Sequence, residues 1–337
     1  PYIPGLAGPA QPFRLFFQQD NAIWVLDSQD AQPRQVLDTM GSFSKGTYNW
    51  TPGGLSPDGQ RLALCLYDKQ SFGIYVYDLA SGQLMPLIDG GTDAYWSPDG
   101  RSIAYLKDNA LWVVDVPTGD TWKVFVMDEA AARNYGAAVL YPAWAPGGEW
   151  LAFLYYPRGP YEPPAMLRVN ADGSDGTLEL LSRSRFFYGS PHWSPDGSRI
   201  LFLSSIGSCS GPDICDNLWV IQADGSNPFQ LTRDFSIVSE PSWSPDGRWI
   251  AFAGSIHYEE ESYPYDLWLA RADGGGLLRL NADDLIEFAP LWTSDGQQIV
   301  FFRGAGSWAD QGIWALNLMD GNLSQLSSAG ADYVIVR

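Results

Sequence analysis

The sequence predicts an all-β fold, a seven-bladed β-propeller of four-stranded antiparallel blades closed by strands from both ends of the chain. Three observations support this prediction. One turn motif recurs at intervals of 41 to 50 residues, strand-like segments follow each copy, and unmatched strands remain at the two ends. A period of about 50 residues with four short strands in each unit is typical of propeller blades.

The recurring motif reads "WSPDG" in its commonest form. Its proline presets φ for a tight turn, its aspartate tolerates the next position, and its glycine accepts a positive φ. Because a catalytic aspartate is not repeated in this way, we interpret these aspartates as structural. Gly147 replaces the aspartate in one copy and Ser294 replaces the proline in another, changes that a turn tolerates. The six copies begin at Leu55, Trp96, Trp144, Trp193, Trp243 and Trp292.

The two ends of the chain together supply one more blade. Residues 13–37 match the second, third and fourth strands of a unit, whereas residues 330–337 form a strand without a successor. We predict that residues 331–336 pair with the strand at Leu15–Phe17, which closes the ring and removes free sheet edges. The prediction is one propeller domain over 13–337 after a linker over 1–12, with six blades as the alternative.

The pattern "P-x-W-S-P-D-G-x-x-I-A-F" resembles the PD40 repeat of TolB-type (WD40-like) β-propellers, over almost the whole chain. The resemblance implies the propeller fold, although TolB itself is expected to have six blades. It points to several functions, because the repeat also occurs in periplasmic Tol-system proteins, sensor ectodomains, prolyl-oligopeptidase-like propellers and oligogalacturonate lyases.

Charge and cysteine content indicate where the chain works. The formal net charge of −19 repels phosphate backbones and anionic lipid, so we predict no nucleic-acid partner. We predict membrane association only through an anchor segment that is missing from this sequence. Cys209 and Cys215 bracket a polar, turn-rich loop and are predicted to form a disulfide, while Cys65 is predicted to be a buried free thiol. A disulfide indicates an extracytoplasmic location: periplasmic, cell-surface or secreted.

The candidate binding residues lie where the inner strands begin. Loops at this end of the blades are long and different from one another, whereas the "SPDG" turns at the other end are short and uniform, so we expect binding on the long-loop face. The position three residues before each motif tryptophan, with its neighbours, supplies the side chains predicted to line the tunnel mouth: Asp93, Tyr141, Tyr188, His192, Glu240 and Glu287.

No catalytic residue is predicted. The chain has no G-x-S-x-G elbow, P-loop or dinucleotide fingerprint, and it has only two histidines. His192 is interpreted first as a packed, hydrogen-bonded side chain and second as a site residue. The glutamates at 259–261 suit a solvated loop better than a calcium site. We therefore expect no cofactor, and calcium is the alternative.

The leading functional prediction is a non-enzymatic binding or scaffold propeller for a protein, small molecule or sugar. One alternative is a ligand-sensing ectodomain cut from a membrane-anchored protein. The other is a carbohydrate-active lyase or hydrolase with carboxylates at the tunnel mouth, for which Glu240 with Asp93 or Glu287 are the candidates.

Overall fold

Every regular element in the described part of the chain is a β-strand. The computed structural model describes residues 11–19, 22–30, 32–38, 54–67, 72–126, 138–157, 163–174, 179–183, 187–204, 216–237, 241–256, 265–281, 285–305, 312–328 and 333–336. None of these residues belongs to a helix long and apolar enough to cross a membrane. The strands are β1 Arg14–Gln19, β2 Ala22–Asp27, β3 Arg34–Asp38, β4 Arg61–Tyr67, β5 Phe72–Asp78, β6 Leu84–Asp89, β7 Thr92–Trp96, β8 Ser102–Lys107, β9 Ala110–Asp115, β10 Thr121–Val126, β11 Ala138–Trp144, β12 Trp150–Tyr156, β13 Ala165–Asn170, β14 Glu179–Arg183, β15 Phe187–Trp193, β16 Arg199–Ser204, β17 Asn217–Gln222, β18 Phe229–Gln230, β19 Ser236–Ile237, β20 Ser242–Trp243, β21 Trp249–Ser255, β22 Asp266–Arg271, β23 Leu277–Arg279, β24 Ile286–Trp292, β25 Gln298–Gly304, β26 Gly312–Asn317, β27 Leu323–Ser327 and β28 Tyr333–Val336.

These strands form seven antiparallel sheets, which are the blades of a β-propeller, so the predicted fold is confirmed and the six-bladed alternative is wrong. In chain order, blade 1 is β28-β1-β2-β3, blade 2 is β4-β5-β6, blade 3 is β7 to β10, blade 4 is β11 to β14, blade 5 is β15 to β18, blade 6 is β19 to β23 and blade 7 is β24 to β27. In blade 6, β19 and β20 both pair with β21 and are two pieces of one inner strand.

The chain divides into two compact units. Unit 1 comprises residues 1–38, 207–220 and 229–337, and unit 2 comprises 39–206 and 221–228. The predicted linker, residues 1–12, lies almost wholly outside the described residues.

The predicted closing strand is present in unit 1. β28 pairs antiparallel with β1, with Leu15 opposite Val336 and Phe17 opposite Val334. The described part of this strand is Tyr333–Val336, and residues 331–332 of the predicted strand lie outside the described residues. β1 therefore has a hydrogen-bonded partner on each side, because its other edge pairs with β2.

The hydrophobic core lies between neighbouring blades. In unit 1 one cluster joins blades 1, 6 and 7 through side chains such as Phe17, Leu269 and Phe301. In unit 2 one cluster joins blades 2 and 3, and another joins blades 3 and 4 through Val113 and Phe153. Burying one such side chain stabilises the fold by about 1.5–3 kcal/mol, so the packing between blades is a main source of stability.

The recurring turn is held by its own serine and aspartate. In blade 5 the Ser194 hydroxyl donates to Asp196 Oδ1 at 2.6 Å, the Ser198 N–H donates to the same oxygen at 3.0 Å, and the Arg199 N–H donates to Ser194 Oγ at 3.0 Å. The same network recurs at Asp58, Asp99 and Asp246, and with threonine as the hydroxyl donor at Asp295. The aspartates thus satisfy turn N–H groups, as the structural interpretation requires.

Three motif tryptophans connect their inner strands to the blade before, whereas the buried Trp96 indole N–H has no acceptor among the described residues. The Trp144 indole N–H donates to the Tyr95 carbonyl at 3.0 Å, and that of Trp193 donates to the Ala143 carbonyl at 3.1 Å. Trp292 bonds the Ser242 carbonyl in the same way at 3.1 Å. Each acceptor carbonyl belongs to the residue just before the motif tryptophan of the preceding blade. The repeat in sequence therefore produces a repeated hydrogen bond between blades.

We predict that deleting residues 333–337 destabilises the protein and causes it to aggregate. The deletion leaves the N–H and C=O groups of β1 unpaired along one edge, and an open edge of this kind pairs readily with other chains. Light scattering and urea unfolding of the truncated and full chains test this. A truncated chain that stays monomeric with an unchanged unfolding midpoint would contradict the closing role of β28.

A second prediction concerns the turn aspartates. Hydrogen bonds from Ser194 and Ser198 lower the pKa of Asp196 to about 2. Asp196→Ala is expected to lower the free energy of unfolding by about 1–3 kcal/mol at pH 7. Because the folded-state pKa lies below the unfolded value of about 3.9, the difference should be complete above pH 4 and shrink as the pH falls towards 2. Urea unfolding at several pH values tests this prediction, with Asp30→Ala, at an exposed position, as the control. A difference in unfolding free energy between Asp196→Ala and the original chain that does not depend on pH would refute it.

Candidate functional site

Inner strands of blades 3, 4, 5 and 7 share an irregularity at the position predicted to line the tunnel mouth. Pairing of β7 with β8 shifts register between Thr92 and Tyr95, and pairing of β11 with β12 shifts between Leu140 and Ala143. The equivalent shifts follow Tyr188 in β15 and Phe288 in β24. A bulge of this kind bends the strand and redirects the side chain at the extra residue.

The bulge residues have left-handed backbone conformations. Asp93, Tyr141 and Ala289 have φ of 55°, 56° and 51°, and Gly189 provides the same conformation in blade 5 with φ of 64°. Residues with a Cβ adopt this region at a cost of about 1–2 kcal/mol. Blades 3, 4 and 7 thus share one bulge geometry that carries three different side chains, whereas the shift in blade 5 spans one residue more.

Unit 2 brings three of these positions onto successive inner strands. The bond from Trp144 reaches the carbonyl two residues after Asp93, and the bond from Trp193 reaches the carbonyl two residues after Tyr141. Asp93 and Tyr141 therefore lie at equivalent places on strands joined side by side, and both are half-buried. We call Asp93, Tyr141 and the Ser190–His192 segment the inner-strand row.

Asp93 lies in a poorly solvated position. Burial raises the pKa of its carboxyl above the ordinary value, although a hydrogen bond with Thr92 partly offsets this effect. Cys65, which is not in a disulfide, lies nearby and is partly buried. Burial raises the pKa of its thiol to about 11, and the negative charge of Asp93 contributes in the same direction. Cys65 is free, as predicted, but only partly buried, and the raised pKa keeps its thiol protonated at neutral pH.

His192 is half-buried and its Nε2 lies 3.2 Å from Ser190 Oγ. Its backbone pairs with Leu201 beyond the bulge. These contacts match the interpretation of His192 as a packed, hydrogen-bonded side chain. Tyr188 lies on the same strand, where its backbone pairs with Leu203.

Glu287 in unit 1 is engaged in a buried ion pair. Its side chain is fully buried, and Arg303 Nε on the adjacent strand lies 3.0 Å from Glu287 Oε1. The Arg303 guanidinium also lies over the Trp314 ring, 5.4 Å from its centroid. Sequence reasoning selected Glu287 but missed Arg303, although the strand pairing places the two residues directly opposite each other. The structure assigns Glu287 a role in packing blade 7; whether it also contacts a ligand stays a prediction.

Several predictions fall outside the described residues: Glu240, the pair Cys209 and Cys215, and the glutamates at 259–261. Within the described residues, no group of three or more His, Cys, Asp or Glu side chains is placed to hold a metal ion.

A prediction follows from the ion pair in blade 7. Arg303→Met is expected to lower the free energy of unfolding by about 3–5 kcal/mol, because it leaves the buried Glu287 carboxylate without its cation. The double variant Glu287→Gln/Arg303→Met should recover most of this loss. A double-mutant cycle measured by urea unfolding gives the coupling energy. Additive effects of the two substitutions would show that the pair contributes no specific interaction.

Comparison with known proteins shows what the chain resembles. The family model described as the TolB beta propeller domain (PD40) matches residues 126–334, and the model of the dipeptidyl peptidase IV N-terminal region matches residues 56–156. An uncharacterized protein of Agrobacterium fabrum is 30% identical over 196 residues, which cover 54% of this chain and 61% of the relative.

Two further similarities come from a Tol-Pal protein and from a solved structure. The Tol-Pal system protein TolB of Anaeromyxobacter dehalogenans is 33% identical over 122 residues, covering 35% of this chain and 25% of TolB. The crystal structure of oligogalacturonate lyase from Vibrio parahaemolyticus superposes with a TM-score of 0.67 at 16% identity, covering 94% of this chain and 84% of the lyase. The chain thus spans from a quarter to less than two thirds of the length of these sequence relatives.

Proposed function

Because the chain belongs to the TolB beta propeller domain (PD40) family, we propose that it is a non-enzymatic binding propeller that works outside the cytoplasm. In this proposal a protein partner contacts the long-loop face, at the end where the inner strands begin. The named TolB relative belongs to the Tol-Pal system, which supports both the location and a role in protein assembly.

One observation carries the proposal: the inner-strand row presents different side chains on one repeated backbone. Asp93 and Tyr141 place a carboxylate and a phenol at equivalent, half-buried bulge positions, and the Ser190–His192 segment of the next inner strand adds a half-buried imidazole just beyond its own bulge. A rigid scaffold with variable polar and aromatic side chains is what selective recognition requires. The "SPDG" turns at the opposite end have their serine and aspartate groups engaged within each turn, which supports a structural use for that end.

The charge of the chain favours a basic partner surface. With 39 acidic against 20 basic residues, the field attracts cationic groups and speeds the encounter with a positively charged protein. The sensor-ectodomain alternative uses the same face. The enzyme alternative is supported by the fold that the chain shares with the lyase. At 16% sequence identity, this likeness does not identify catalytic residues in this chain.

We expect Tyr141→Ala to weaken partner binding about tenfold while barely changing stability. Ala289 has the same left-handed φ as Tyr141, so alanine is compatible with this backbone. Asp246→Ala should do the reverse, lowering the free energy of unfolding by about 1–3 kcal/mol and leaving binding unchanged.

A photo-crosslinking amino acid placed at position 141, and in a second variant at position 246, identifies the partner and tests the face. The probe at 141 is expected to capture a specific protein from an envelope extract of the native host, whereas the probe at 246 captures none. Capture at 246 alone would place binding on the turn face. Cleavage of oligogalacturonate by the purified chain, lost in Asp93→Asn, would instead favour the enzyme.

A further inference from the structure

The turn end of unit 2 contains a cavity that the proposed function does not use. It measures about 410 Å³ and opens to solvent between blades 3 and 4. Its walls combine two tryptophans, two prolines and two aspartates with small residues: Ser97, Pro98, Asp99, Ser102, Trp122, Trp144, Pro146, Gly147, Gly148, Ala171 and Asp172.

The two tryptophan rings are held in fixed orientations. The Trp122 indole N–H donates to the Ala171 carbonyl at 2.8 Å, and the Trp144 indole N–H donates to the Tyr95 carbonyl at 3.0 Å. Both rings pack partly buried against the core between blades 3 and 4. Since their polar groups are already bonded to backbone, what they offer the cavity is apolar and π surface.

Trp122 is particular to blade 3. It lies on the fourth strand, opposite the fourth residue of the third strand, Val113. The strand pairing of the other six blades places no tryptophan there; the residues in that register are Arg34, Met85, Glu179, Phe229, Leu278 and Ser324. The blade architecture therefore does not require a tryptophan at this position.

The turn of blade 4 leaves room beside these rings. It reads "APGGE", without the serine and aspartate that fill the other turns. The Glu149 carboxylate lies where a Cβ of residue 147 would stand, so it occupies part of the space that the aspartate side chain takes in the other turns. A Cβ on Gly148 would lie 4.0 Å from Pro98 of the preceding turn, against 3.3 Å for the equivalent pair Gly100 and Pro57.

The charged groups of the cavity are all acidic. The Ser97 hydroxyl donates to Asp99 at 2.5 Å and the Ser174 N–H donates to Asp172 at 2.7 Å. These hydrogen bonds lower the pKa of both carboxyls, so both carry a negative charge at neutral pH. No lysine or arginine is among the lining residues.

We propose that this cavity binds an organic cation, an ammonium or guanidinium group on an apolar body, supplied by a small molecule or by a basic side chain of a peptide. The aromatic faces of Trp122 and Trp144 attract the cation and cover its apolar body, and Asp99 and Asp172 supply opposite charge at the rim. None of the residues of the inner-strand row lines this cavity.

Titration calorimetry with choline and with N-acetylarginine amide tests the proposal and separates the two sources. Binding of at least one cation is expected. Its affinity should fall about tenfold in Trp122→Leu, which keeps apolar volume but loses the π face, and less in Trp122→Phe. Met85→Ala, at the same register position in blade 2, serves as the matched control and should bind like the original chain.

The neutral isostere of choline, in which carbon replaces nitrogen, decides whether charge matters. The isostere is expected to bind far more weakly than choline. The Asp172→Asn variant, which removes one negative charge, should reduce the difference in affinity between the two compounds. Thermal unfolding of each variant shows that a loss of binding is not a loss of fold. Equal binding of choline and its isostere, or no binding of either cation by the original chain, would overturn the proposal.

Discussion

The indole-to-carbonyl hydrogen bond between successive inner strands is the interaction on which the rest of the structure depends. The bonds from Trp144, Trp193 and Trp292 fix three inner strands against their predecessors at equivalent positions of the repeat. That alignment brings the apolar faces of neighbouring blades together and sets the bulges of β7 and β11 side by side. A hydrophobic contact alone would leave the strands free to slide, because burial has no direction. The directional hydrogen bond thus fixes one alignment of neighbouring inner strands, which hydrophobic packing alone would not.

The repeat separates residues that build the blade from residues free to vary. In the "SPDG" turns the serine and aspartate are bonded to each other, so their recurrence along the chain reflects geometry. The bulge residues share a backbone but not a side chain, and Trp122 occupies a position that other blades fill with unrelated residues. Departures from the internal repeat are therefore where we look for binding residues, because the repeated motif is used by the turn itself.

The fold and its closure could be predicted from the sequence, because turn chemistry and strand periodicity are local signals. The pairing of β28 with β1 followed from counting strands. The candidate site was only partly accessible: the position of Asp93 and Tyr141 was predicted, but their left-handed backbone was not. Glu287 illustrates the limit, since its burial against Arg303 depends on strand register and on neighbouring blades. The Trp122 cavity depends on four separate segments of the chain, which no local pattern connects.

The pairing of β28 with β1 also sets the order of events during synthesis. Blade 1 consists of residues near position 20 and residues near position 335, so its sheet stays one strand short while every other blade emerges. At about 5–20 residues per second, that interval lasts roughly 15 to 60 seconds. During this interval the apolar strand β1 remains an unpaired sheet edge. It can then pair with other nascent chains translated from the same mRNA. For this architecture the speed of translation, and any factor that shields the first blade, becomes part of the folding problem.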